Sequence, residues 1–144
     1  MPQKPRTFYL INEINLTVRT RLERLLRPYD LTVAQFTVMS QLAGRDKISS
    51  AKIARARRVS PQTINELITG LEERGMVVRV GDPANRRELL VSLTEAGRER
   101  IAEGDALIDA LEAELFADLD KKAQAQLRAI LETMIGTIRR IDAS

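Results

Sequence analysis

The chain has 144 residues, enough for one ordinary domain, and contains no Cys, no His and no Trp. These absences exclude disulfides, thiolate nucleophiles, Cys/His zinc sites and His-dependent triads, so we expect no metal, no cofactor and no enzyme. The 44% hydrophobic and 30% charged residues are typical of a soluble globular protein. Because no apolar run approaches the roughly 18 residues of a membrane span and no signal-peptide core is visible, we expect a cytoplasmic protein without a membrane partner.

The net charge of +3 is unevenly distributed. Residues 1–44 carry six basic and three acidic side chains, and residues 45–90 carry ten and six. Residues 99–144 reverse the balance, with six basic and ten acidic side chains. A basic middle and an acidic tail suggest a polyanion-binding segment, although charged runs are usually only solvated faces.

Helical periodicity dominates the first half of the chain. Apolar residues recur at three- and four-residue steps over residues 8–27, which predicts a long amphipathic helix that ends at Pro28. Thr32 and Gln35 match a capping box for a second helix, which ends at Gly44.

Two shorter helices are predicted next. The first begins at Ser49 or Ser50 and runs to about Arg57. The second has Ser60 as its N-cap and ends at Gly75. Its apolar residues recur at helical spacing: Ile64, Leu67, Ile68 and Leu71.

The pattern then changes to β-structure. Residues 76–80 and 88–93 are rich in aliphatic and β-branched side chains, which predicts two strands. The polar segment 81–87 between them predicts a long basic loop with Arg86 and Arg87 at the hairpin tip.

Two helices are predicted in the last third. Thr94 caps one that keeps its apolar repeat to Leu115, and the other follows Asp120. The first and last helices have wide apolar faces that a chain of this length has little surface to cover. We expect them to form a two-fold interface between two copies, with an intrachain bundle as the alternative.

Helix, turn, helix and hairpin in this order describe a winged helix-turn-helix. The predicted fold class is mainly α with a small β-hairpin wing, flanked by N- and C-terminal dimerisation helices. Within one continuous domain, residues 1–30 form the N-terminal dimerisation helix, residues 31–98 the DNA-binding lobe and residues 99–144 the C-terminal dimerisation helices.

Three features of this lobe favour double-stranded DNA as the partner. The exposed face of the fourth helix carries short donors and acceptors that suit base edges in the major groove: Ser60, Gln62, Thr63, Asn65, Glu66 and Thr69. Candidates for contact with the DNA backbone precede it: Ser49, Arg55, Arg57 and Arg58. Arg86 and Arg87 suit a narrow minor groove. Each feature alone also fits a solvated surface, but their order along the chain favours DNA.

The sequence resembles the MarR family of bacterial transcription regulators over nearly the whole chain. The runs that carry the resemblance are residues 48–54, 59–60 and 71–77, followed by Asp82-Pro83-Ala84-Asn85-Arg86-Arg87 and Leu93-Thr94-Glu95-Ala96-Gly97. The family's wing pattern is Asp-Pro-x-Asp-(Arg/Lys)-Arg, then a strand and Leu-Thr-x-x-Gly. The resemblance implies a homodimer that binds a pseudo-palindromic operator, often beside its own gene, and releases it on binding a small molecule.

By position, the resemblance implies that Arg87 is the wing-tip arginine, with Arg86 as its basic neighbour. It also implies that Asp82 helps to hold the wing in shape. Asn85 departs from the family pattern, which usually has Asp there, so a wing salt bridge is replaced at best by a neutral hydrogen bond.

Two further departures concern the helices. Glu66 stands where many members carry Arg or Lys, so it either accepts a hydrogen bond from cytosine N4 or pairs with Arg58 or another basic residue. Arg57 occupies a commonly apolar position, so it either faces DNA or extends from a partly buried stem.

The absence of Cys and His also restricts how such a protein could be regulated. A thiol switch is excluded and zinc sensing is disfavoured, which leaves a small organic effector, often aromatic and anionic in this family, or none. The resemblance places the pocket between the dimer helices and the DNA-binding lobe, where Tyr9, Phe36 and Met39 could line it. Core packing is the favoured alternative for Phe36 and Met39.

We therefore expect a DNA-binding regulator, a repressor modulated by a small ligand. The alternative is a winged-helix module that binds a partner protein and senses no ligand. A carboxylate hydrolase that uses pairs such as Asp82 and Glu88 is a third interpretation, which no other feature of the sequence supports.

Overall fold

The computed structural model describes residues 4–45 and 47–144. Residues 1–3, on which the expectation about a signal peptide partly rests, lie outside them. The described elements are α1 (Thr7–Leu26), a 3₁₀ turn (Arg27–Tyr29), α2 (Val33–Ala43), β1 (Ile48–Ser49), α3 (Ser50–Arg57), α4 (Pro61–Glu73), β2 (Val77–Asp82), β3 (Asn85–Leu93), α5 (Glu95–Leu115) and α6 (Lys121–Asp142). The chain divides into two compact units, residues 1–107 and 108–144.

The first unit holds an antiparallel sheet of three described strands in the order β1-β3-β2. Ile48 of β1 pairs with Val91, and Val77 of β2 pairs with Leu93. The prediction of a two-stranded hairpin is therefore incomplete, because β1 adds a third strand. A strand of two residues is too short to show an alternating pattern in the sequence.

The core of the first unit lies between the helices and one face of the sheet. Phe36, Met39 and Leu42 of α2 are buried, and so are Ile53 of α3 and Val91 of β3. The predicted apolar repeat of α4 is also confirmed: Ile64, Ile68 and Leu71 are buried, and Leu67 is half-buried. Burial of each such side chain contributes roughly 1.5–3 kcal/mol, which holds α4 against the lobe by one face only.

The predicted helix starts are confirmed by their hydrogen bonds. Thr32 Oγ1 accepts a hydrogen bond from the Gln35 amide, and Gln35 Oε1 accepts one from the Thr32 amide, both at 3.1 Å. Ser60 Oγ accepts from the Thr63 amide at 3.1 Å at the start of α4. Asp120 Oδ1 accepts from the Ala123 amide at 2.7 Å at the start of α6.

The C-terminus of α4 forms a Schellman motif. The Met76 amide donates to the Leu71 carbonyl and the Gly75 amide donates to the Glu72 carbonyl, both at 2.9 Å. Gly75 has φ +72°, a left-handed conformation that costs glycine little. The chain therefore turns directly from α4 into β2.

The Leu-Thr-x-x-Gly motif joins α5 to this turn. Thr94 Oγ1 donates to the Gly75 carbonyl and accepts from the Gly97 amide at 3.1 Å, so one hydroxyl bonds both segments. A Cβ at Gly97 would overlap the Met76 carbonyl oxygen. Only glycine lets the first turn of α5 approach this backbone so closely.

Two long helices leave many apolar side chains exposed. In α1 the exposed apolar side chains are Phe8, Tyr9, Leu10, Ile11, Ile14 and Leu16. In α6, which belongs to the second unit, they are Ile130, Leu131, Met134, Ile135, Ile138 and Ile141. None of the described helices is long and apolar enough to cross a membrane.

Candidate nucleic-acid interface

Helix α4 separates its apolar and polar residues onto different faces. Pro61 occupies its first turn, where a missing amide proton is tolerated, and Ser60 caps it. While the apolar face is buried in the lobe, the expected base-reading side chains are all exposed: Ser60, Gln62, Thr63, Asn65, Glu66 and Thr69. The structure thus brings together on α4 and its N-cap all six residues that the sequence selects.

Hydrogen bonds order part of this surface. Ser60 Oγ and Thr63 Oγ1 lie 2.8 Å apart at the start of α4. Gln62 Nε2 donates to Glu66 Oε1 at 3.3 Å, one helical turn along. Glu66 thus has a neutral partner on its own helix, which the sequence did not indicate.

Arg79 of β2 connects the sheet to the same helix. Its Nη2 atom donates to the Asn65 carbonyl and to Thr69 Oγ1, each at 3.0 Å. Glu72 Oε1 lies 3.9 Å from Arg79 Nη1, and Glu72 Oε2 accepts from the Arg79 amide at 3.2 Å. Sequence patterns missed Arg79, whose only signal is a cation within an otherwise apolar strand.

The hairpin, which we call the wing (residues 77–93), turns more tightly than predicted. Its strands run to Asp82 and Asn85, so the connection is the two-residue turn Pro83-Ala84 and not a loop over residues 81–87. Asp82 Oδ1 accepts from the Ala84 amide at 2.9 Å. This side-chain hydrogen bond stabilises a two-residue turn, although the polar and turn-forming residues of segment 81–87 predicted a longer loop.

Arg86 and Arg87 follow the turn and are exposed. Gly81 pairs with Leu89, whereas Asp82 pairs with Asn85, so residues 86–88 bulge from the ladder. Asn85 Oδ1 accepts from the Arg87 amide at 3.2 Å, which is a neutral hydrogen bond at the position where the family usually has Asp. The two arginines therefore lie in a bulge of β3 beside the tip, and not at the tip itself.

The candidates for backbone contact divide into two groups. Arg55, Arg57 and Arg58 are exposed at the end of α3. Ser49 is only 2% exposed, and its Oγ accepts from the Lys52 amide at 3.2 Å. The expectation that Ser49 contacts the DNA backbone is corrected, because its side chain caps α3 from inside the lobe.

The three residues expected to contact an effector differ in their exposure. Phe36 and Met39 are buried in the core, and the Phe36 ring fills the space where a Cβ on Gly104 would lie. Tyr9 is 62% exposed on α1, with its ring 6.1 Å from that of Phe8 in an edge-to-face arrangement. For Phe36 and Met39 the structure supports the core-packing alternative.

Neighbouring acidic residues do not suggest a metal site. Among the residues that the structure describes, no group of three or more Asp or Glu side chains could hold a metal ion. Asp82 instead bonds the turn beside it.

These features define a winged helix-turn-helix: α4 has an exposed polar face, basic residues precede it and a basic hairpin follows it. Proteins of this class insert the second helix of the motif into the major groove. Comparisons with known proteins agree. A family model described as "MarR family" matches residues 29–88. An HTH-type transcriptional repressor of Mycobacterium tuberculosis is 29% identical over 126 residues, which cover 88% of this chain and 91% of the relative.

Solved structures give the same result. A mutant MarR from E. coli, complexed with operator DNA, is 26% identical with a TM-score of 0.79 and covers 88% of this chain and 91% of its own. The S. aureus MepR–DNA complex, at 21% identity, has a TM-score of 0.83 and covers 93% and 99%, which supports the fold. Together these comparisons support a winged-helix, DNA-binding transcription regulator similar to the MarR family.

Proposed function

We propose that this transcription regulator is a cytoplasmic, non-catalytic repressor that binds a pseudo-palindromic operator as a homodimer. The observation that carries the proposal is the polar face of α4, exposed beside a wing with two exposed arginines. Its relatives support the proposal, since one is named a transcriptional repressor and another was crystallised with operator DNA.

In this proposal α4 reads bases in the major groove. Gln62 and Asn65 carry amide groups that suit the paired donor and acceptor of adenine. Glu66 suits the amino group of cytosine, although it must then share its carboxylate with Gln62. Ser60, Thr63 and Thr69 add shorter hydroxyl contacts along the same face.

The basic residues around α4 bind the sugar-phosphate backbone and the minor groove. Arg55, Arg57 and Arg58 meet phosphates beside the major groove, because they are exposed just before α4. Arg86 and Arg87 enter the adjacent minor groove from the bulge in β3. Asp82 braces the wing through its bond to the turn.

A second copy of the chain covers the exposed apolar side chains of α1 and α6. The exposed apolar face of α6 is of the kind that marks an interaction surface. A two-fold dimer would present two α4 helices to two half-sites one helical turn apart. In this proposal residues 1–30 and 99–144 serve dimerisation and residues 31–98 serve DNA binding.

A small aromatic or anionic effector would release the operator by favouring a dimer whose lobes do not match successive major grooves. Tyr9 is the accessible candidate for an effector contact. Phe36 and Met39 would have to leave their buried positions to reach a ligand. Titration of phenolic acids into the protein–operator complex tests this point for each compound.

A gel shift over a range of salt concentrations tests the main proposal. DNA flanking the gene serves as the probe, and an unrelated duplex of equal length serves as the control. We expect preferential binding that weakens with salt, by about 0.9 logarithmic units per unit of log salt for each phosphate contacted. Failure to bind either duplex at low salt would instead favour a protein-interaction module.

A further inference from the structure

We propose that Arg79 is a positioning residue for base recognition, which fixes the reading face of α4 and binds no phosphate itself. This inference rests on the proposed DNA-binding function and names a determinant of its specificity. Arg79 lies on the wing, as do Arg86 and Arg87, which are exposed and suit direct DNA contact. Arg79 differs from them because its guanidinium is bonded to α4.

The guanidinium of Arg79 is already bonded within the protein. Nη2 donates to two oxygens of α4 at 3.0 Å, the Asn65 carbonyl and Thr69 Oγ1. Nη1 faces Glu72, which compensates the positive charge. The side chain is 21% exposed, compared with the exposed Arg86 and Arg87. A phosphate contact would require Arg79 to give up these bonds.

The two oxygens bound by Nη2 belong to residues on the reading face. Thr69 lies one helical turn after Asn65, and a helical threonine divides between two rotamers because its hydroxyl can also bond the carbonyl four residues earlier. That carbonyl also accepts a hydrogen bond from Arg79. Because the same Nη2 donates to Thr69 Oγ1, Arg79 favours the orientation of Thr69 in which this oxygen faces the guanidinium, beside the main chain of Asn65.

The backbone of Arg79 strengthens this connection. β2 is an edge strand, and the Arg79 amide donates outward to Glu72 of α4 and not to another strand. Both the main chain and the side chain of one residue thus join the wing to α4.

Two matched variants, Arg79→Gln and Arg87→Gln, each remove one positive charge from the wing. Affinity is measured for the operator and for operators with one base pair changed in the α4 contact region, at several salt concentrations. For Arg79→Gln we expect an unchanged salt slope and about a fivefold loss of discrimination, the lower end of the effect of one base pair. For Arg87→Gln we expect the salt slope to fall by about one for each half-site, while discrimination between operators is retained.

The reverse pattern for Arg79→Gln, a smaller slope with full discrimination, would overturn the proposal. Arg79→Lys keeps the charge but loses the planar fork, and it is the second variant if Arg79→Gln melts early. We expect it to lose discrimination as well, and wild-type discrimination in that variant would also contradict the proposal.

A double-mutant cycle tests the route through Thr69. In a Thr69→Val background, Arg79→Lys should cause little further loss of discrimination, because the shared hydroxyl is absent. Additive losses would overturn this route. Failure of the proposed function itself is distinguishable, since the wild-type protein would then show neither operator preference nor a salt slope.

Discussion

Arg79 Nη2 lies 3.0 Å from Thr69 Oγ1 and thereby links the edge strand of the wing to the exposed face of α4. The link means that two kinds of arginine occur on one hairpin. Arg79 is bonded to the helix, whereas Arg86 and Arg87 are exposed on the bulge. Substitutions on the wing should therefore separate into effects on specificity and effects on charge.

The first prediction concerns Arg87 and the minor groove. Arg87→Ala should weaken operator binding and lower the salt slope by about one for each half-site, because each subunit loses one cation from its DNA-binding surface. The dimer should remain intact by analytical ultracentrifugation. Lys122→Ala, on the exposed first turn of α6, is the matched control and should change neither quantity. Wild-type affinity in Arg87→Ala would refute the wing assignment.

A second prediction concerns base reading by α4. Gln62→Ala or Asn65→Ala should reduce discrimination at one base position per half-site by about 1–3 kcal/mol, because a good side-chain–base pair is lost. The salt slope should stay near that of the wild type. Selection from a random duplex pool measures the preference, and an unchanged consensus for both variants would argue against α4 as the reading helix.

The third prediction separates stability from binding at Arg58. Arg58 has φ 53°, a left-handed conformation that costs a residue other than glycine roughly 1 kcal/mol. Arg58→Gly should relieve this backbone strain, while the salt slope for operator binding falls by about one per half-site. Arg58→Lys, which keeps the charge, is the control. An Arg58→Gly protein with undiminished binding would remove Arg58 from the DNA surface.

The sequence predicts local structure in this protein better than contacts between distant segments. Thr32 and Gln35 are three residues apart, so their capping box could be read directly and is confirmed. Arg79 and Asn65 are 14 residues apart and meet only because α4 turns back into β2 at Gly75. Nothing in the local pattern at Arg79 specifies that partner.

Contacts beyond the local sequence also determine the wing turn and the burial of Ser49, where the predictions were wrong. Gly81, Asp82 and Pro83 are turn-forming residues, but the length of the turn depends on the Asp82 bond to Ala84 and on a shift of register. Serine is usually exposed, so the sequence favoured a surface position for Ser49. Its burial follows from the pairing of β1 with β3, which a two-residue strand does not signal.

A fourth prediction tests the close approach at the start of α5. Gly97→Ala should lower the free energy of unfolding by about 1–3 kcal/mol, because its Cβ would overlap the Met76 carbonyl and force the backbone to shift. Gly44→Ala is the control, since a Cβ added at Gly44 would meet no atom within 4 Å, and it should stay within about 0.5 kcal/mol of the wild type. Urea unfolding measures both. Equal stability of the two variants would contradict the packing described at Thr94 and Gly97.

The fifth prediction concerns dimerisation through α6. Ile138→Glu places a charge on the exposed apolar face and should shift the protein towards monomer at micromolar concentration, with loss of operator binding. Gln126→Glu adds the same charge on an exposed polar position of α6 and should leave the dimer intact. Sedimentation equilibrium measures the association constant. A fully dimeric Ile138→Glu protein would exclude this face from the interface.

The most direct test of the whole account is the salt dependence of operator affinity for the wild-type dimer. Two subunits that together contact 6–10 phosphates should lose about 10³–10⁵ in affinity between 50 and 200 mM salt. The operator should also remain preferred over an unrelated duplex at each salt concentration. Binding that is insensitive to salt, or equal for both duplexes, would contradict the claim that α4 and the wing form a sequence-specific DNA-reading surface.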